Sequence, residues 1–150
     1  MTLADRLAVF MEGEIRQVGR PSEVFARPSS VEVAAFIGSP PMNLIPARYA
    51  QGRATIAGGT LQTVVDMPGE RDVIIGIRPG AVRFEDGGMP ATVDLVEHLG
   101  DTAVLDLDLA GAAVRARVSD GPVPREGERV RITARPADVH VFDAASGQRL

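Results

Sequence analysis

Arg78 and Arg135 occupy the same place in a pattern that the chain carries twice. Val73-x-Ile75-x-Ile77-Arg78-Pro79-x-x-Val82 returns, 57 residues later, as Val130-x-Ile132-x-Ala134-Arg135-Pro136-x-x-Val139. An arginine fixed at equivalent strand ends has the chemistry to hold an anion through two parallel hydrogen bonds. It can equally pair with a carboxylate such as Glu97 and brace a corner of the fold, and this structural role is the preferred reading. Other reactive types are sparse. His98 and His140, the two histidines, sit in strand-like segments without a second ligand at a metal-binding spacing, and read as surface or packing residues. Asp106 and Asp108 alternate with Leu105, Leu107 and Leu109, which describes a solvated strand face better than a catalytic carboxylate pair. Gly58-Gly59 and Gly87-Gly88 lie between strand-like runs and precede no helix, so they read as hairpin turns and not as phosphate loops.

Composition narrows the chemistry further. All sixteen basic residues among the 150 are arginine, which removes a P-loop lysine, a Schiff-base lysine and a lysine nucleophile together. A net charge of −4 and an aromatic content of 4% deny nucleic acid both electrostatic attraction and stacking platforms. With no cysteine there is neither a disulfide framework nor a thiolate metal site. The start, Met1-Thr2-Leu3-Ala4-Asp5-Arg6, has no charged region followed by an apolar one, and no stretch approaches the roughly 20 apolar residues of a spanning helix. These features predict a soluble, cytoplasmic chain with an aliphatic core and no catalytic constellation of its own.

The elements that must position the two arginines are mostly strands. Leu7 to Gly19 reads as a hairpin through Glu12-Gly13-Glu14. Pro21 to Pro28 suits a short helix, and Ser29 or Ser30 can cap a second one over Val31 to Ile37, stopped by Gly38. Residues 38–46 hold three prolines, which predicts an irregular linker and a domain boundary. Beyond it, six runs suit short strands: 60–65, 73–77, 92–96, 103–109, 113–118 and 129–134. Many short strands at regular spacing predict a sandwich or small barrel, and the repeated Arg-Pro pattern predicts two similar halves within it.

These motifs carry a family resemblance. Met11-x-Gly13-x-Ile15-x-Gln17-x-Gly19-x-Pro21-x-Glu23-Val24-Phe25-x-x-Pro28 resembles the end of the nucleotide-binding domain in ATPase subunits of ABC importers of the maltose/glycerol-3-phosphate type. The likeness continues through Val33-Ala34-x-Phe36-Ile37-Gly38-Ser39-Pro40-x-Met42-Asn43, Gly76-Ile77-Arg78-Pro79 and Val93-x-x-Val96-Glu97-x-Leu99-Gly100. Asp5-Arg6 matches a place inside longer members, so the resemblance implies a C-terminal portion.

What it implies is mainly β: an oligomer-binding-like (MOP-like) regulatory β-barrel over residues 47–150, joined by the 38–46 linker to a nucleotide-binding-domain remnant over 1–37. Ser39, Pro40, Met42, Asn43, Arg78, Pro79, Glu97, Gly100 and Arg135 become candidate interface or regulatory residues. The implied partners are a second copy of the chain, transmembrane permease subunits and a regulatory protein. ATP and magnesium would belong to the parent subunit, with no cofactor in these residues. Gly80-Ala81 stand where the family often has Glu-His, so no role of that pair carries over. The rival reading is a free-standing barrel that binds an oxyanion or a sugar-related effector, with Arg78 or Arg135 supplying charge. The hairpin, lacking its larger sheet, is expected to pack on the barrel or pair with another copy.

Overall fold

The computed structural model describes residues 5–150; the Met1-Thr2-Leu3-Ala4 start lies outside the described residues. The hairpin and both helices form where the sequence places them. β1 (Leu7–Met11) and β2 (Glu14–Gly19) make a two-stranded antiparallel sheet, turning at Glu12 and Gly13 with positive φ. α1 (Pro21–Ala26) opens on proline, whose fixed φ suits a first turn, and α2 (Val31–Phe36) is capped by Ser30, whose Oγ accepts from the Val33 amide at 3.3 Å. Leu7, Val9 and Met11 pack on Val24, Val33 and Ile37. The hairpin therefore rests on the helices and not on the larger β-unit, because this small cluster satisfies one face; Phe10, Ile15 and Val18 on its other side stay exposed.

The remaining strands form two antiparallel sheets. One has five strands in the order β11-β6-β3-β4-β5, with β3 (Asn43–Ala50), β4 (Arg53–Ile56), β5 (Gly59–Gln62), β6 (Glu70–Ile77) and β11 (His140–Asp143). The other has four in the order β10-β7-β8-β9, with β7 (Arg83–Leu99), β8 (Thr102–Leu109), β9 (Ala112–Val118) and β10 (Arg129–Thr133). Their inner faces enclose one core, with Ile75, Val93, Leu105, Leu107 and Val141 at its centre. The alternation expected in β8 holds: Leu105, Leu107 and Leu109 are buried while Asp106 and Asp108 face out. The core is not purely aliphatic. Tyr49 is fully buried within it, and its hydroxyl donates to Val65 O at 2.9 Å while accepting from the Gly52 and Met67 amides at 3.0 Å each.

The fold is mainly β and oligomer-binding-like, but the two sheets do not close into a continuous hydrogen-bonded barrel. At one seam a side chain does the joining. Asn43 Nδ2 donates to Arg115 O in β9 at 2.8 Å and to Ile77 O in β6 at 3.1 Å, while its Oδ1 accepts from the Arg115 amide at 2.7 Å. One amide thus stands in for a pair of ladder bonds between sheets.

Three local expectations change. β3 starts at Asn43, within the proline-rich stretch expected to be irregular. Pro46 is tolerated because β4 covers only Arg48 to Ala50, so the Pro46 edge away from β6 needs no amide donor. Gly87-Gly88 is not a hairpin turn: it lies inside β7, where residues 85–89 bulge out between Phe84, opposite Ile132, and Pro90, opposite Arg131. A Cβ on Gly88 would come within 2.6 Å of Ile132 O, so only glycine lets β10 approach there. Finally, β4 and β11 are strands that the alternation did not single out.

Candidate functional site: the Arg78 junction

Both Arg-Pro elements end their strands in the same way. After β6 and after β10 the proline opens a single 3-10 turn, Pro79–Ala81 and Pro136–Asp138, because its ring locks φ and removes the amide that a ladder would need. Val82 and Val139 then return to the core.

From the first turn Arg78 reaches back to the N-terminal elements. Its Nη2 donates to Phe25 O at 2.9 Å and its Nη1 donates to Ile37 O. These carbonyls lie at the C-terminal ends of α1 and α2, where no intrahelical partner exists. The guanidinium carbon sits 4.2 Å from the centroid of the Phe25 ring. Burial lowers the Arg78 pKa from its ordinary value, and its Nε is buried without a partner. Gly38 makes the approach possible. Its φ of +112° is one that side chains rarely adopt, and a Cβ there would come within 2.8 Å of Arg78 Nη1.

Two further contacts join the N-terminal unit to the sheets. Ala34 of α2 packs with Met42 and Phe142 on the outer face of the five-stranded sheet. The C-terminal segment pairs with the turn before α2: the Arg149 amide donates to Ser29 O and the Val31 amide to Gly147 O, both at 2.9 Å.

Arg135 behaves differently. Its side chain is 67% exposed, and its Nε donates to Asp138 Oδ2 at 2.9 Å, three residues ahead. Neither arginine forms an ion pair with Glu97 among the described residues. Yet Arg78 and Arg135 line one cleft of about 570 Å³, together with Ser39, Pro40, Pro79 and His140. Glu97 lines a neighbouring groove of about 280 Å³ that shares Ser39 and Pro40. Met42 is buried under α2 with Ala34 and Phe142, Asn43 is the seam, and Gly100 is the positive-φ residue of the β7–β8 turn. Five of the nine candidates therefore meet at the cleft and four do not.

Arg117, His140 and Arg149 were missed as site residues. Only the outward phase of β9 pointed to Arg117. His140 accepts at Nδ1 from Arg149 Nη1 at 3.0 Å, which leaves its proton on Nε2. Burial first, then Arg149 and Arg78, push its pKa down to about 4 against the opposing pull of Asp138.

Comparisons with known proteins match most of the chain beyond α2 to two family models. Residues 38–82 match the MalK OB fold domain and residues 75–142 the TOBE domain. The sn-glycerol-3-phosphate import ATP-binding protein UgpC 2 of Agrobacterium fabrum is 39% identical over 158 residues, covering 100% of this chain and 42% of its own length. UgpC of Cereibacter sphaeroides is 40% identical, covering 100% of this chain and 44% of itself. The sulfoquinovosyl glycerol transport ATP-binding protein SmoE of Agrobacterium fabrum is 38% identical over 97% of this chain and 44% of its own. The chain thus spans less than half the length of these curated relatives, and corresponds to their C-terminal part. Among solved structures, the cytoplasmic molybdate-binding protein ModG, with molybdate bound, superposes with a TM-score of 0.55 at 16% identity, over 67% of this chain and 95% of that one. That likeness concerns the fold alone.

Proposed function

The chain belongs to the MalK OB fold and TOBE family of importer ATP-binding proteins, and from that premise we propose that it forms the regulatory and dimer-forming part of such a subunit without hydrolysing ATP itself. The observation that carries this reading is the Arg78 clamp. It ties a small N-terminal unit with its own cluster, Val9, Val24 and Val33, to a β-unit with a separate core. A movement of one unit is thereby felt by the other, which is what a regulatory domain attached to a catalytic one requires.

In this reading residues 1–37 end a nucleotide-binding domain, residues 38–46 join it to the rest, and residues 47–150 are the regulatory unit. The subunit would work on the cytoplasmic face of the membrane with permease subunits, a second copy of itself and a regulatory protein. Its solute would be a sugar or a glycerol phosphate. No helix among the described residues is long and apolar enough to cross a membrane. Among the described residues no three or more His, Asp or Glu side chains gather into a metal site of their own, and the reading places neither ATP nor magnesium there. The reading assigns both to other parts of such a subunit.

Two measurements on the purified chain test it. ATP turnover that survives removal of contaminants would overturn the non-catalytic part. A monomeric mass across a wide concentration range would remove the dimer. A second reading, a free-standing barrel for a small anionic or sugar-related effector, is favoured by the cleft that Arg78 and Arg135 share.

A further inference from the structure

We propose that the cleft between the two Arg-Pro turns binds a small phosphate monoester, its dianionic head held by Arg117 and Arg135 in the positive field to which Arg78 contributes. The inference deepens the second reading above, and holds whether the chain acts within a subunit or alone.

The cleft of about 570 Å³ takes Arg78, Arg117 and Arg135 from three separate segments and includes one acid, Asp138, already engaged by Arg135. Neither Arg78 nor Arg117 has an ion-pair partner among the described residues. Arg78 is held by carbonyls, which use its hydrogens but leave its charge uncompensated. Three cations against one carboxylate leave the cleft locally positive, which stands out in a chain of net charge −4. Burial is the first cause of the lowered His140 pKa; of the cleft's charges, Arg78 adds to it and Asp138 opposes it.

The lining also selects the ligand. Guanidinium forks match phosphate oxygens two at a time. With Nδ1 occupied by Arg149, the His140 ring offers a donor at Nε2 and not an acceptor. Pro40, Pro79 and Ala137 give a short carbon body apolar contact, and the volume falls in the ~300–1,000 Å³ range of small-molecule sites. Arg78 already stacks on one face of Phe25, the one phenyl ring of the lining.

Calorimetric titration of the full chain with sn-glycerol-3-phosphate, inorganic phosphate and glycerol tests the site. The ester is expected to bind one per chain, more tightly than phosphate, while glycerol gives no signal and added salt weakens both anions. Arg117→Ala is expected to lower affinity about tenfold, and Arg117→Lys by less. Arg117 is exposed, so an unchanged melting temperature is expected to show that both variants fold. Arg48→Ala, which removes an arginine paired with Glu70 and Asp72, is expected to change nothing. Absent binding at millimolar ester, or an equal loss in Arg48→Ala, overturns the site. Phosphate binding as tightly as the ester overturns the ligand class. None of these outcomes bears on ATP turnover or on the family.

Discussion

Arg78 and Arg135 leave their strands on almost the same backbone, with φ and ψ of −64° and 142° at the first and −65° and 145° at the second. Each is followed by proline and a single 3-10 turn. Their side chains nevertheless serve different ends. Arg78 crosses to carbonyls 41 and 53 residues earlier in the chain, whereas Arg135 folds onto Asp138 in its own turn. The difference lies in what packs nearby. α1 and α2 present unpaired carbonyls and the Phe25 ring to the first turn, while the second faces solvent. Equivalent local sequence builds equivalent turns, and the neighbours decide which arginine becomes a joint.

The largest effect should come from breaking the joint. Arg78→Ala removes two charge-assisted hydrogen bonds and a stacked ring, and is expected to destabilise by about 2–3 kcal/mol. Hydrogen exchange should show the loss concentrated in α1, α2 and the hairpin; uniform destabilisation would argue against a joint. Next comes Gly38→Ala, which attacks the same contact from the other side. Its positive φ and the close approach to Arg78 together predict a cost of about 1–3 kcal/mol. In a double-mutant cycle the two changes should add to less than their sum, because either one alone opens the clamp.

The pH response is a smaller and more local effect. His140 titrates near 4 in the folded chain and near its ordinary value when unfolded. A depressed pKa contributes stability above about pH 6.5, and that contribution is lost as pH falls from there toward 4. His140→Gln should flatten this part of the melting-temperature profile, and proton NMR of the His140 ring should follow its titration. Phosphate-ester binding should raise the midpoint. The smallest change is expected from Arg135→Ala, within about 0.5 kcal/mol, since an exposed pair three residues apart contributes little. A loss comparable to that of Arg78→Ala would erase the distinction between the turns.

Much of the fold was legible. Alternation in β8, the capping serine before α2 and the Arg-Pro pattern are local signals, and each appears as expected. β3 was hidden because Pro46 mimics a linker, and its tolerance depends on how far β4 extends beside it. The bulge at Gly87-Gly88 looked like a turn because sequence records glycine but not the β10 backbone lying against it. Of the cleft, Ser39, Pro40, Arg78, Pro79 and Arg135 were named from motifs. Arg117 and His140 were not, since their meeting depends on sheet order across long separations.

The residues alone determined the local geometry: where strands stop, which prolines turn the chain, which face of each strand turns inward, and that lysine and thiolate chemistry are absent. Those outcomes follow from φ restrictions, capping and hydrophobic period, which act over a few neighbours. The tertiary structure decided the rest. It made Asn43 a seam, placed Arg78 on orphan carbonyls, and brought three arginines to one cleft in an acidic chain. Side chains gain such roles only from partners that folding brings near, and one-dimensional spacing carries no measure of that distance.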